Sequence, residues 1–429
     1  MNPEFPRLRV RTVRCVDPGE LVRYADPRDP ALVLRRGDGI VGRGRVWRAT
    51  FTGATRIGDA RAAWQRLVER AAVSDDAQVP GSGLVAFAAF AFSAASGAES
   101  VLTVPETIVG RREGVAFVTS IRVDDDVDED AHVVEDVALP APTPLGSLTA
   151  SDPGEGAMTR AAHTEAVAAA LEAIERGDYE KIVLARDLVA HIRPDDDRRL
   201  ALARLSEAYP NTWTYAVDGL IGASPEMLVR VLGREVAARV LAGTLARGTD
   251  ASSDAAAREA LAASAKNRHE HRLAIDSALE SLRALDAHDD PQSGLTVSPE
   301  PFLLELPNVW HLASDIRGTL PVGSSILDLV EALHPTAAVG GTPRATALPA
   351  IDALEPFDRR RYAGPAGWLS GAGDGEFVIA LRGAEVDADG TVRLYAGGGI
   401  VATSDPDEEF AETLPKFRPV LDALRGRPE

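Results

Sequence analysis

Residues 179–187 read YEKIVLARD, and the alternation within them sets the pattern for the chain around them. Val183 and Ala185 fall on the side of Lys181, with Ile182 and Leu184 opposite, the period of two that a β-strand imposes. A lysine at such a position ordinarily lays its stem along the sheet and sends its ammonium to water. This strand otherwise reads as buried, so the root lysine calls for an explanation in chemistry.

Upstream, residues 159–176 place Val167, Ala170, Leu171 and Ile174 on one helical face, and Gly177 stands where a helix stops. Downstream come a helix ending before Pro210, a strand TWTYAVDGLIG (212–222), a turn ASPEM (223–227) and a strand LVRVLG (228–233). One long helix is expected over 254–285, ending in DAHDDPQSG, then strands at 309–320, 376–386 and 391–401, and a terminal helix from Asp405. Residues 1–120 hold the apolar runs ALVLRR, LVAFAAFAF and EGVAFVTSIRV, with one helical stretch, DARAAWQRLVERAA. An acidic block, VDDDVDEDAHVVED (123–136), and the Pro- and Gly-rich run that follows it to residue 156 read as an exposed, partly flexible connection. It separates residues 1–150 from 151–429. Mixed strands and helices without regular βαβ alternation predict an α+β architecture rather than a doubly wound sheet.

At 429 residues and 45% hydrophobic, the chain can bury a large core. Its single cysteine, Cys15, excludes an internal disulfide and a cysteine-based metal site. No signal-peptide core opens the sequence, and the uncharged run GSGLVAFAAFAFSAASGA reads as a buried strand, so a cytoplasmic protein is expected. The formal net charge of −19 opposes nucleic acid and anionic membrane as partners. An anionic ligand would need a site that reverses this field locally with cations, backbone N–H groups or a metal ion.

Several residues could build such a site. Glu226 is the only ionisable group in the turn GLIGASPEMLV, where partial desolvation would raise its pKa and let it donate a proton. In AKNRHEHRLAID, Glu270 stands between two histidines that point about 200° apart on a helix and cannot readily share an ion. Glu409 and Glu412, three apart, share a face of the terminal helix, and converging carboxylates suit a hard cation. An acidic first turn favoured by the helix dipole explains them equally well. Gly397, Gly398 and Gly399 stand between a strand and the residues leading to that helix, where bare backbone could approach an anion. Arg382 lies inside an apolar strand and needs an anionic partner. Lys416 follows Glu412 by four residues and is either its ion-pair partner or a substrate contact.

The ordered blocks EKIVLARD, GASPEML, LAGTLARG, KNRHEHRLAID, VWHLASDIRG, LHPTAAVGGTPR, EPFDRRRYAGPAGW, FVIALRGAEV and YAGGGIVATSDPDEEFAETLPK resemble the chorismate-utilising enzymes. That family includes isochorismate, salicylate, anthranilate and aminodeoxychorismate synthases. The resemblance covers the last two-thirds of the chain, with residues 1–150 matching a variable N-terminal part of the same fold. It implies a large β-sandwich of two antiparallel sheets flanked by helices, with residues 151–429 as the chorismate-binding catalytic region.

Carried over position by position, Glu226 matches the family's general acid, and Glu270, Glu409 and Glu412 its Mg²⁺ ligands. Gly243, Thr244, His311, Tyr362, Arg382, Gly397, Gly398, Gly399 and Lys416 match its substrate-binding positions. Lys181 separates the members: it resembles the lysine of the water-using enzymes, where ammonia-using relatives carry glutamine. It would activate water at C2 of chorismate, kept uncharged by burial and neighbouring cations, while Glu226 protonates the hydroxyl leaving C4. Ala242 replaces a lysine that can act as a nucleophile in aminodeoxychorismate synthases, and no tryptophan-inhibition motif is evident.

The implied activity is a Mg²⁺-dependent isomerase of the isochorismate synthase type, serving siderophore, menaquinone or another pathway. Its partner is chorismate, with no glutaminase subunit, as a monomer or weak dimer. The alternatives are salicylate synthase, which goes on to eliminate pyruvate, and a silent chorismate-binding subunit, against which the intact lysine, acid and carboxylates argue.

Overall fold

The computed structural model describes residues 5–124, 137–285, 295–320 and 322–425. Most of the acidic block and the DAHDDPQSG segment lie outside these residues. The helix before Lys181 runs over Arg160–Arg176; Thr159 caps it, its hydroxyl accepting from Ala162 N, and Gly177 ends it at φ 81°. The strand that follows spans Lys181–His191 and pairs antiparallel with Thr391–Ile400.

Two sheets carry the fold. The first orders the Lys181 strand, Thr391–Ile400, Gly383–Val386, Leu220–Ser224 and Trp213–Val217, then passes into the N-terminal strands Ala31–Arg35 and Asp38–Arg43 and on to Leu8–Arg14. The second orders Val309–Thr319, Glu235–Ala246, Met227–Leu232, Gly375–Ile379 and Pro365–Ser370, then Val85–Ala89, Ser100–Val104 and Trp47–Phe51. Apart from Leu8–Arg14 against Ala72–Asp75, these pairings are antiparallel, as an α+β sandwich requires. The uncharged run GSGLVAFAAFAFSAASGA supplies the Val85–Ala89 strand, buried at every position. No helix among the described residues is long and apolar enough to cross a membrane.

Strand periodicity divides the core. Val33, Tyr215, Val217 and Tyr395 of the first sheet join Phe87, Trp368 and Phe377 of the second in one apolar cluster. Their neighbours Leu32, Leu34, Ala216, Leu394 and Ala396 face the other way, into a second cluster with Leu202 and Leu205 of the Arg199–Ala208 helix and Phe417 and Val420 of the terminal helix Pro406–Arg425. Consecutive residues thus serve opposite layers, which covers the first sheet on both faces.

Three expected elements are divided in the structure. The strand over 212–222 is a hairpin, turning at Asp218 (φ 50°) and Gly219 (φ 84°), the Asp-Gly pair a tight turn favours. The long helix breaks at Ser264 into Ala251–Ala263 and Ala265–Leu285, because the Ser264 hydroxyl accepts from Asn267 N (3.2 Å) and Nδ2 (2.9 Å), a local cap that competes with helix continuation. The strand over 376–386 is two strands, Gly375–Ile379 in the second sheet and Gly383–Val386 in the first, with Arg382 between them at φ 50°.

Candidate active site

Two of the chain's passages between the sheets each deliver an ionisable side chain. Between Leu220–Ser224 of the first sheet and Met227–Leu232 of the second stands Glu226; between Gly375–Ile379 and Gly383–Val386 stands Arg382. The two passages are tied together. Glu226 N donates to Ser224 Oγ (3.2 Å), which donates to Ile379 O (2.6 Å), and Ile379 N returns to Glu226 O (3.1 Å). Tyr215 Oη reaches across Gly222 to Leu381 O (3.0 Å). Arg382 is therefore not inside a strand, as its apolar flanks suggested, but at the seam.

A pocket opens there. Glu226, Gly243, Thr244, Glu270, His311, Tyr362, Arg382, Gly397 to Gly399, Glu412 and Lys416 all line it. Lys181 and Glu409 lie outside the lining, Lys181 fully buried and Glu409 2% exposed. The sequence reading did not single out Ala338, Val339 or Arg359, which also form the wall. Arg359 donates to Val339 O (2.8 Å) and Val183 O (2.7 Å) and pairs with buried Glu355, so it pins the wall to the Lys181 strand. An arginine amid RRR, with its acid four residues earlier, offered that signal.

Glu226 is 3% exposed, and burial pushes its pKa up to about 8 against the lowering effects of a hydrogen bond from Leu241 N and the charges of Lys181 and Arg382. It is protonated at neutral pH and positioned to donate. Arg382 has its proton affinity lowered by burial, and no carboxylate among the described residues pairs with it. Its side-chain hydrogen bond is from Nη2 to His311 Nε2 (3.4 Å). Because that nitrogen accepts, His311 carries its proton on Nδ1 and donates to Thr244 Oγ1 (2.8 Å), which leaves the threonine hydroxyl hydrogen free for another acceptor. Burial holds His311 well below the usual histidine range and therefore neutral, an effect Arg382 and Lys416 reinforce.

The backbone at Ala242–Gly243 is a bulge. Leu241 opposes Ala313, and the register resumes with Thr244 opposite His311. Gly243 adopts φ 84°, and a Cβ there would lie 3.0 Å from Asn267 Cβ, so glycine is required both for conformation and for space. Gly397 to Gly399 lie within the Thr391–Ile400 strand, opposite Ala185, Leu184 and Val183. Their bareness makes room. A Cβ on Gly398 would come within 3.1 Å of Glu409 Oε2 and 3.9 Å of Glu412 Oε1, and one on Gly399 within 2.9 Å of Lys181 Cε and against Glu270 Oε1. Glu270, from the second half of the broken helix, thus lies beside Gly399, and Glu409 and Glu412 lie beside Gly398. His271, beside it, is structural: Nδ1 contacts Ala242 O (3.1 Å) and Nε2 contacts Ser314 Oγ (2.9 Å).

Each of the three carboxylates has an ammonium partner. Lys181 Nζ is 3.0 Å from Glu270 Oε1, an ion pair whose geometry falls short of a hydrogen bond, so the amine retains donors without acceptors. Its closest charged neighbour is thus a carboxylate rather than the cations anticipated. Lys266 Nζ donates to Glu409 Oε1 (3.0 Å), and Lys416 Nζ to Glu412 Oε1 (2.6 Å) and Gly397 O (2.8 Å). Burial works against the Lys266 charge, but Glu409, and beyond it Glu412 and Glu270, outweigh it and raise its pKa. Burial likewise pushes Glu412 up, and Lys416, Lys266 and Arg382 prevail to lower it. Glu409 stays raised, by burial and then by Glu412.

Among the described residues, no three His, Cys, Asp or Glu side chains stand close enough to hold an ion as they are. The donors nevertheless fit one. They are carboxylate oxygens, Glu409 Oε2 is buried without a partner, and the glycine strand leaves a cradle beside it.

The MenF protein of Mycobacterium tuberculosis is 42% identical over 261 residues, 58% of this chain and 68% of that protein. The isochorismate synthase DhbC of Bacillus subtilis is 39% identical over 267 residues, 59% of this chain and 65% of that protein. In three dimensions the chain is similar to MenF, the menaquinone-specific isochorismate synthase of Escherichia coli, with a TM-score of 0.77 at 26% identity over 99% of this chain and 96% of that one. The family model described as chorismate binding enzyme matches residues 29–425, so the chain is a member of the chorismate-binding enzymes.

Proposed function

We propose that this pocket isomerises chorismate to isochorismate, adding water at C2 of the ring and expelling the hydroxyl at C4. The observation that carries the reading is a buried carboxyl, Glu226, protonated at neutral pH in the same pocket as a guanidinium without a carboxylate partner. Arg382 and Lys416 receive the substrate's carboxylates, which meets the demand for local field reversal in a chain of net charge −19. The Thr244 hydroxyl, released by His311, adds a neutral donor. Lys181 is the group assigned to take a proton from the attacking water as the C2–O bond forms and the two ring double bonds shift. Glu226 gives its proton to the oxygen at C4, which departs as water. One water enters and one leaves, so the substrate's charge is unchanged.

A Mg²⁺ ion held by Glu270, Glu409 and Glu412 would supply a Lewis-acid clamp for the ring carboxylate and a charge that competes with Lys181 for Glu270. With water as the nucleophile, no ammonia-delivering subunit is needed, and a diffusible dicarboxylate suits a cytoplasmic enzyme.

The test is incubation with chorismate and Mg²⁺ in the absence of ammonia, with products separated by chromatography. Isochorismate alone is expected. Salicylate with pyruvate would assign the lyase-competent alternative, and no turnover would refute the reading. Lys181→Gln is expected to abolish isochorismate formation while calorimetric titration still shows chorismate binding; unchanged turnover would remove Lys181 from the mechanism.

A further inference from the structure

The three lysines that neutralise the carboxylates are not equivalent. Lys181 is fully enclosed, and the Lys416 side chain, 7% exposed, is anchored a second time on Gly397 O. The Lys266 side chain is 30% exposed and makes a single hydrogen bond, to Glu409 Oε1, an atom that Ser404 Oγ also satisfies at 2.6 Å. Lys266 also occupies the first turn of the Ala265–Leu285 helix, the end where the helix dipole disfavours a cation. Its ammonium is placed there against the local field, by the carboxylates it faces. A lysine suits a removable cation, being a compact charge on a flexible four-carbon arm. Without it, Glu409 would be a buried carboxylate beside Glu412 with too little compensating charge.

We propose that Lys266 is a resident counter-cation: it holds the carboxylate cradle closed in the metal-free protein and must swing off Glu409 into solvent when a divalent ion enters. The lysine thereby sets the affinity of the cradle for its ion. This rests on the reading of Glu270, Glu409 and Glu412 as the ion's ligands. A divalent ion brings twice the charge and several coordination positions to oxygens that the ammonium engages one at a time. Glu409 Oε2, buried and unpartnered, is the ligand already free, while Oε1 is the one Lys266 must release.

Two measurements on the full chain without substrate test this. Calorimetric titration of Mg²⁺ should show Lys266→Met, which keeps the apolar stem and removes the charge, binding about tenfold or more tightly than wild type. In the unaltered protein, acetylation of Lys266 by an amine reagent, followed by mass spectrometry, should rise severalfold on adding Mg²⁺, which does not depend on the variant folding. Equal or weaker Mg²⁺ affinity in the variant, or labelling indifferent to Mg²⁺, would overturn the displacement and leave the ligand assignment standing. Failure of Mg²⁺ to bind either protein would overturn both.

Discussion

Replacing Glu226 by glutamine separates the energetics of the candidate acid from its chemistry. The amide imitates the protonated carboxyl, so it removes the titration and keeps the shape. Burial raises the Glu226 pKa from 4.5 to about 8. In the unfolded chain the group loses its proton near pH 4.5, whereas in the folded protein it keeps it to about pH 8. Wild-type stability from this group is therefore fully present below pH 4.5 and lost as pH rises towards 8. Each unit corresponds to ~1.4 kcal/mol, so the loss approaches ~5 kcal/mol across the window and ~3 kcal/mol by pH 7. The side chain is 3% exposed, so solvent screening takes little from these figures. Urea denaturation of both proteins from pH 4.5 to 9 should show the variant gaining on wild type by that slope and levelling off above pH 8. The same variant should be inactive, and wild-type turnover should fall as pH rises through about 8. Parallel stability curves would mean that Glu226 titrates like an exposed carboxylate, and the acid role would lose its physical basis.

Arg382→Lys should raise KM for chorismate on the order of 100-fold, because one ammonium cannot reproduce the fork of a guanidinium with no carboxylate partner of its own; an unchanged KM in steady-state assays would place the substrate carboxylate elsewhere. Gly399→Ala should abolish turnover and cost ~1–3 kcal/mol in denaturant unfolding, since its methyl group would sit against Glu270 and within 2.9 Å of Lys181 Cε. Wild-type activity in that variant would show that the pair has room to move. His311 should stay neutral from pH 8 down to pH 5, seen by NMR as ring proton shifts that do not titrate; a midpoint near 6.5 would contradict its burial and its Nδ1 donation to Thr244.

Local signals carried much of the fold. The helix before Lys181, with its Thr159 cap and Gly177 stop, and the alternation of the strand after it are written in consecutive residues, and the structure repeats them closely. The apolar runs of the first third became strands in both sheets, paired with strands from residues 213–217 and 365–370. Those partners are far apart in sequence, so no local pattern announced them. Where the apolar pattern ran on unbroken, as in EFVIALRG, it concealed a passage between sheets, because hydrophobicity records burial and not which layer receives it. The alanine-rich helix likewise hid its break at Ser264, a cap that a single hydroxyl makes.

Glu226, Arg382, Glu409, Glu412, Lys416 and the three consecutive glycines drew notice one at a time, as charges or bare backbone, whereas Gly243, Thr244, His311 and Tyr362 came only with the family resemblance. Only the tertiary structure decided their partners. That Lys181 meets Glu270, Lys266 meets Glu409 and Arg382 meets a neutral histidine depends on helices and strands up to 143 residues apart being brought within 4 Å. Burial and charge pairing are properties of the assembled volume, and they set whether a carboxyl holds its proton. Sequence by itself determined which groups were available; packing determined which of them are charged, paired or free.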